Sequence, residues 1–138
     1  MITSDEMQLR LLAELEEAHF DNTFSLLNTV IAPSGSESEL TILVQATVDL
    51  VAGGKVVIGT ENFYPRNEQV LTGEEAILFA KGLADWFRFD VDTNMWTTTS
   101  GDMRKERYPF VRLTKSGLEA AREILGNRGY RWWEPRRR

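Results

Sequence analysis

The chain has 138 residues, of which 42% are hydrophobic and 27% charged, a composition typical of one globular domain. Cysteine is absent and histidine occurs once, at His19, which excludes disulfides, thiol chemistry and cysteine- or histidine-rich metal sites. There is no apolar run of about 18 residues and no basic-then-apolar leader, so the sequence predicts neither a membrane span nor a secretion signal. We therefore expect a cytoplasmic protein without a metal or a cofactor.

The charge of the chain is divided unevenly between its two ends. Residues 1–100 carry five basic and sixteen acidic side chains, and residues 101–138 carry eleven basic and five acidic ones, which gives net charges of −11 and +6. A basic end is typical of a segment that meets nucleic acid, an anionic surface or an acidic protein. The alternative is that the basic end folds back on the acidic body or dimerises against it.

Two helices are predicted at the start of the chain. The first covers residues 5–18, where Thr3 and Glu6 have the spacing of a capping box and apolar side chains recur at helical intervals. The second covers residues 23–31 and follows Asp21-Asn22, a pair that favours an N-cap.

The clearest helical pattern lies at residues 38–51, behind a capping box formed by Ser36 and Glu39. Gly53-Gly54 predicts its end, because glycine readily adopts the positive φ of a helix C-cap. Residues 55–59 are apolar and β-branched, which predicts a short strand.

The middle of the chain predicts a loop, a helix and two strands. Residues 60–71 favour a loop, although Phe63-Tyr64 could extend a strand. Thr72 with Glu75 predicts a capping box for a helix over residues 73–86. Strands are then expected at 87–91 and 95–99, joined by a turn at Asp92-Thr93-Asn94.

A last strand and a last helix complete the predicted domain. The strand covers residues 107–113 and is placed at a sheet edge because Pro109 lacks a backbone N–H. The helix begins at Thr114 or Ser116 and ends at Gly126. Helices and strands are segregated along the chain, so we expect one α+β domain over 1–126 and a basic aromatic tail over 127–138.

Two stretches carry a resemblance to a known family. In residues 50–58, Leu-Val-Ala-Gly-Gly-Lys-Val-Val-Ile, a helix ends at glycine and enters a strand. In residues 110–120, Phe-Val-Arg-Leu-Thr-Lys-Ser-Gly-Leu-Glu-Ala, a strand ends in Leu-Thr and Gly117 follows three positions later in a helix. Both stretches resemble winged-helix proteins. The resemblance covers residues 23–126 and implies a winged-helix-like fold, with helices packed on a small antiparallel sheet or hairpin.

The resemblance implies one possible function, that of a DNA-binding transcriptional regulator. In that version the wing tip and the basic C-terminal segments contact nucleic acid. The residues concerned are Arg104, Lys105, Arg107, Arg112, Lys115, Arg128 and Arg131.

Two departures from the family pattern weaken the DNA-binding interpretation. The segment 60–105 is far longer than an ordinary wing. The helix that would enter the major groove has no Lys or Arg between Ser38 and Gly53, and only Gln45 is a plausible base reader. We therefore expect a fold of this kind to contact proteins.

Other motifs predict no catalytic or ligand site. The calcium-loop pattern at residues 90–94 fails because Met95 and Gly101 stand where such a loop needs glycine and glutamate. Gly53-Gly54-Lys55 lacks the rest of a phosphate loop, and His19 has no evident nucleophile partner. We expect no enzyme activity and no small-molecule substrate.

The C-terminal tail interleaves aromatic and arginine side chains. Tyr130, Trp132 and Trp133 are candidate protein-interface residues, since such side chains dominate binding energy at interfaces. The alternatives are stacking on nucleic-acid bases, or docking on the protein's own core with Arg136-Arg137-Arg138 in solvent. With the hairpin at 86–113 as a second surface, we expect a non-catalytic protein-interaction module that self-associates; the alternative is the DNA-binding regulator.

Overall fold

The computed structural model describes residues 2–62, 66–99 and 106–135, which form five α-helices, a short 3₁₀ helix and six strands. The helices and strands follow in chain order as α1 Ser4–Ala18, β1 Phe20–Asn22, α2 Thr23–Val30, α3 Glu37–Ala52, β2 Val56–Asn62, β3 Asn67–Val70, α4 Gly73–Lys81, the 3₁₀ helix Leu83–Trp86, β4 Phe87–Asp90, β5 Met95–Thr98, β6 Tyr108–Leu113 and α5 Lys115–Arg128.

Four strands form one antiparallel sheet in the order β1–β6–β2–β3, and β4 and β5 form a separate hairpin. In the sheet, Ile58 of β2 lies opposite Val111 of β6, and both are buried against the helices. Segregated helices and antiparallel strands make this an α+β fold, which confirms the predicted class. The predicted hairpin strands and the turn between them are also confirmed.

The core lies between α1, α2, α3 and the inner face of the sheet. Met7, Leu15, Leu27 and Leu43 are almost fully buried there. α3 packs against α1 on one side and against α4 on the other, so it is an inner helix for much of its circumference.

Side-chain caps start several helices as the sequence predicted. Thr3 accepts a hydrogen bond from the Glu6 backbone N–H at 3.1 Å, and Ser36 and Glu39 form a complete capping box. The capping box predicted at Thr72 is wrong, because its side chain makes no cap hydrogen bond.

The edge position predicted for the last strand is wrong. β6 lies between β1 and β2. Pro109 is nevertheless tolerated, because β1 pairs with β6 only as far as Phe110, while Pro109 lies opposite Thr60 of β2. The backbone N–H that Pro109 lacks is therefore at a position where β6 has only β2 as a neighbouring strand.

Three other boundaries differ from the predictions. The expected loop at 60–71 contains β3, whose side chains are all exposed and so lack the alternating pattern of a half-buried strand. α4 ends at Lys81 and gives way to the 3₁₀ helix. α5 passes through Gly126 and ends at Arg128, and the next residue, Gly129, has a φ of 82° that favours glycine.

The glycine of the Leu-Thr stretch has a packing role. A Cβ at Gly117 would lie 1.9 Å from the Lys55 carbonyl oxygen, so only glycine lets α5 approach the start of β2. Thr114 secures the same junction, because its hydroxyl donates to the Gly54 carbonyl oxygen at 2.6 Å and accepts from the Gly117 N–H at 3.0 Å.

In the described ranges, no helix is both long and apolar enough to cross a membrane.

Candidate protein-interaction surface

Residues 129–135, the described part of the C-terminal tail that follows α5, turn back onto the body of the protein. Gly129 and Arg131 adopt positive φ angles of 82° and 48°, and the Glu134 N–H donates to the Arg131 carbonyl oxygen at 3.0 Å. A positive φ is unusual for an arginine and persists only where surrounding contacts hold it. These contacts come from α1 and α2.

Glu6 on α1 is the centre of the first contact. Its carboxylate accepts hydrogen bonds from Arg10 Nε at 2.9 Å, from an Arg128 guanidinium nitrogen at 2.8 Å and from Trp132 Nε1 at 3.0 Å. Burial by itself raises the pKa of Glu6, but the hydrogen bonds from Arg10, Trp132 and Arg128 outweigh it and lower that pKa below its ordinary value. The ionised carboxylate thus ties α5 and the tail to α1.

Arg131 and Trp133 make the second and third contacts. Arg131 forms an ion pair with Glu14 at 2.7 Å. Trp133 Nε1 donates to the Thr29 carbonyl oxygen at 3.3 Å, and the Arg10 guanidinium lies 5.6 Å from its ring centroid. These contacts place the tail across α1 and α2.

The three predicted interface residues therefore occupy different environments. Trp132 and Trp133 pack edge to face, 4.8 Å between centroids, and both contact the protein's own helices. Tyr130 is 64% exposed, with the Arg131 guanidinium 5.1 Å from its ring. For residues 128–135, the basic end folds back on the acidic body, which was one of the two alternatives that the charge distribution left open.

Of the residues predicted to contact nucleic acid, those that the structure describes do not form one exposed basic surface. Arg104 and Lys105 lie outside the described residues. Arg107 donates from Nε to Thr60 Oγ1 at 2.9 Å and also binds backbone carbonyl oxygens. Arg112 pairs with Glu68 at 3.1 Å.

Three further cations of that set lie around α5. Lys115 is exposed at the start of the helix. Arg128 and Arg131, at its end and beyond, bind Glu6 and Glu14 as described above. Of the described candidates, Lys115 is thus the most open to a polyanion.

The β4–β5 hairpin is the second candidate surface. Its inner side packs on the α2–α3 connection, where Phe89 is so close to Gly35 that a Cβ there would lie 2.7 Å from the ring. Its tip exposes apolar side chains, with Val91 80% and Met95 47% exposed. Exposed apolar side chains that adjoin one another mark candidate contact sites.

A third feature, which the sequence did not point to, is an open groove of about 560 Å³ between the end of α3, the start of β2 and the start of α4. We call it the α3–α4 groove. Its walls are mainly aliphatic, from Val51, Val57, Leu71 and Ile77, and its rim carries Glu74. The sequence could not reveal it, because these residues come from separate elements and each alone fits an ordinary core pattern.

A buried acid was also missed. Glu61 on β2 is only 4% exposed, and one carboxylate oxygen accepts from the Tyr108 hydroxyl at 2.5 Å. Its other oxygen lies 3.9 Å from Arg66. Burial and the hydrogen bond to Glu61 raise the pKa of Tyr108, so the phenol stays protonated and remains a donor. This pairing links adjacent strands, since Glu61 lies opposite Tyr108.

No protein-family model matches the chain, and neither do curated proteins or solved structures. Within the described part of the chain, no three His, Cys, Asp or Glu side chains are grouped so that they could hold a metal ion. The functional argument therefore rests on the surfaces described above.

Proposed function

We propose that the chain is a cytoplasmic, non-catalytic protein-interaction module with a winged-helix-like core, and that it self-associates. The observation that carries this proposal is the internal use of two basic side chains in the described part of the C-terminal end. Arg128 and Arg131 neutralise Glu6 and Glu14 of the same chain, so these cations serve the fold rather than an external polyanion.

The order of elements supports the winged-helix-like part of the proposal. The helix pair α2–α3 is followed by Gly53-Gly54 and β2, as expected from residues 50–58, the first stretch that resembles winged-helix proteins. The return strand β6 pairs with β2, ends at Leu113-Thr114 and leads into α5. The elements β3, α4, β4 and β5 are then an insertion between the two wing strands.

The position of α3 argues against DNA reading. A recognition helix must present an open, hydrogen-bonding face to the major groove. α3 packs between α1 and α4, and it contains no Lys or Arg. Its exposed polar side chains include Glu37 and Gln45, a poor match for a polyanion.

The hairpin tip and Tyr130 supply the contact surface in this proposal. Val91 and Met95 are exposed on a hairpin that is itself anchored to α2, and Tyr130 is exposed on a tail that is anchored to α1. Anchoring reduces the ordering cost of association, because the exposed groups are already positioned.

One polar contact invites a catalytic interpretation, which we do not adopt. Lys55 Nζ donates to Ser116 Oγ at 2.7 Å. A nucleophilic serine needs a neighbour that accepts its proton. Here Lys55 is the donor and Ser116 is the acceptor. The contact therefore stabilises the start of α5 and does not activate Ser116 as a nucleophile.

The test is a sedimentation-velocity series over a hundredfold range of concentration. We expect a monomer–dimer equilibrium that shifts at least about tenfold toward monomer in the double variant Val91→Asp/Met95→Asp. Leu78→Asp, at an exposed residue of α4, is the matched control and should leave the equilibrium unchanged. A monomer at every concentration would contradict the proposal. Binding to random duplex DNA that falls steeply with salt would favour the regulator instead.

A further inference from the structure

We propose that the chain self-associates by exchanging its C-terminal tail, so that residues 131–135 of each copy dock on the α1–α2 surface of the other. This inference rests on the proposed self-association and names the contact that forms it. The fold described above, in which the tail covers its own α1 and α2, is then the closed form of the chain. The dimer is the exchanged form.

The α1–α2 surface recognises one kind of segment, and the structure shows that segment in place. Its contacts are Trp132 Nε1 to the Glu6 carboxylate at 3.0 Å, Arg131 to Glu14 at 2.7 Å, and Trp133 Nε1 to the Thr29 carbonyl oxygen at 3.3 Å. They select an arginine followed by two indoles, each of which presents its N–H to a fixed acceptor. The tail of a second copy has this sequence and makes the same contacts when it docks.

The turn that returns the tail to its own chain is short and strained. α5 ends at Arg128 and Arg131 already contacts α1, so only Gly129 and Tyr130 lie between them. Arg131 has a φ of 48°, which is unfavourable for a residue with a Cβ. Extending residues 129–131 in the exchanged form removes this conformation and keeps the side-chain contacts. Short hinges under strain favour domain exchange for this reason.

The two hinge residues do not anchor the closed form. The Gly129 N–H donates to the Leu125 carbonyl oxygen, a bond that belongs to the end of α5 and stays with it. A Cβ built on Gly129 would meet nothing within 4 Å in the described residues. Tyr130 is 64% exposed, and its ring faces the Arg131 guanidinium of the same tail at 5.1 Å. Opening the hinge therefore leaves the packing of the body intact.

The reach of the hinge determines how the two copies meet. Four residues lead from Arg128 to Trp132, a span of at most about 14 Å when extended. Since Arg128 stays with Glu6 of its own chain, the α1 helices of the two copies must lie close together. Their acidic surfaces tolerate this approach, because each Glu6 keeps Arg10 and Arg128 and receives Trp132 from the other copy.

The hairpin tip adjoins the same interface. Asn28 holds the β4–β5 hairpin through Trp96, and the next residue, Thr29, accepts the hydrogen bond from Trp133 of the tail. The tail and the hairpin thus lie beside each other along α2. One exchanged dimer therefore uses both contact surfaces of the proposed function.

The first test reverses one ion pair in two full-length chains, Glu14→Arg and Arg131→Glu. Each variant alone has like charges at this contact, both within a chain and between two copies of itself. In a 1:1 mixture, exchange between the two variants gives opposite charges at both contacts. We expect native mass spectrometry to show a heterodimer that exceeds either homodimer at least about tenfold. Glu16→Arg mixed with Arg131→Glu is the control and should show no such excess.

The second test lengthens the hinge and leaves every contacting side chain unchanged. Insertion of Gly-Ser-Gly-Ser between Gly129 and Tyr130 relaxes the turn of the closed form, so the tail should stay on its own chain. We expect the dissociation constant of the dimer, measured by sedimentation velocity, to rise at least about tenfold. The same insertion between Glu134 and Pro135, beyond the three contacts, is the control and should leave the equilibrium unchanged.

The inference and the proposed function fail separately. If the wild type dimerises, either a mixture without a heterodimer excess or an unchanged equilibrium in the hinge variant overturns the exchange and leaves self-association standing. A wild type that is monomeric at every concentration contradicts the proposed function, and the exchange fails with it. Circular dichroism identifies a charge variant that does not fold, and the hinge variant then decides the outcome.

Discussion

Asn28 and Trp96 are joined by two reciprocal hydrogen bonds. Asn28 Nδ2 donates to the Trp96 carbonyl oxygen at 2.8 Å, and the Trp96 N–H donates to Asn28 Oδ1 at 2.8 Å. A side-chain amide thus occupies the place of a neighbouring strand on the free edge of β5. It ties the hairpin to α2 across 68 residues of chain and blocks part of an edge that could pair with another strand.

Replacing this amide should release the hairpin. We expect Asn28→Ala to lower the free energy of unfolding by about 2 kcal/mol, because the Trp96 backbone N–H and carbonyl lose their partners in a partly buried position. Urea denaturation measures the loss, and faster hydrogen exchange at the Trp96 amide locates it. Asn127→Ala is the control, since Asn127 is exposed on α5. An equal loss in both variants would contradict this assignment.

Two glycines of α5 should respond in opposite directions to the same substitution. Gly117→Ala should destabilise by about 3 kcal/mol or prevent folding, since its Cβ would overlap the Lys55 carbonyl oxygen. Gly126→Ala should stabilise by about 0.5–1 kcal/mol, because nothing lies within 4 Å of its Cβ and alanine favours a helix interior. Thermal melts of both variants check this. Stabilisation by Gly117→Ala would mean that α5 does not approach β2 as described.

The contact centred on Glu6 should weaken in acid. The pKa of Glu6 in the folded protein lies below its ordinary value of 4.5. Its contribution to stability is therefore complete above about pH 4.5 and is lost as the pH falls through the folded-state pKa. We expect Glu6→Gln to be less stable than the wild type by about 1–2 kcal/mol at neutral pH, and this difference to shrink in acid.

Urea unfolding at a series of pH values measures that difference, and tryptophan fluorescence reports exposure of Trp132. Glu16→Gln is the control, because Glu16 contacts Arg122 at 3.6 Å on a more exposed part of α1. A difference between the wild type and Glu6→Gln that is constant with pH would show that Glu6 is not an ionised partner of the tail.

A buried hydroxyl in the core should be dispensable. Thr23 Oγ1 is buried and has no hydrogen-bond partner among the described residues, and it borders a cavity of about 10 Å³ lined by side chains that include Leu11 and Leu43. We expect Thr23→Val to stabilise by about 1 kcal/mol, since a methyl group replaces an unsatisfied polar group. Thr23→Ala should destabilise because it enlarges the cavity. Chemical denaturation distinguishes the two, and a less stable valine variant would indicate that the hydroxyl is bonded.

Local signals in the sequence predicted the helices well. Thr3, and Ser36 with Glu39, mark helix starts through contacts within four residues, and such contacts need no knowledge of the fold. β3 was missed because its side chains are all exposed, so a strand held only by backbone pairing has no apolar alternation to detect.

The candidate surfaces depended on contacts that are distant in sequence. Trp132 and Trp133 were recognisable as anchors, but their partners Glu6 and Thr29 lie 126 and 104 residues away. The α3–α4 groove similarly joins Val51, Leu71 and Ile77 from three parts of the chain. Pairings of this kind follow from tertiary packing, which composition and periodicity do not encode.

The long segment between β2 and β6 sets the order in which the protein can fold. Glu61 and Tyr108, opposite each other in the sheet, are 47 residues apart, so their pairing must close a long loop. The β4–β5 hairpin closes over only a few residues and can form early. The pairing of β2 with β6 is thus expected to be the late and slow step of folding. β2 also pairs with the nearby β3, so only its other edge stays unpaired and aggregation-prone until β6 arrives.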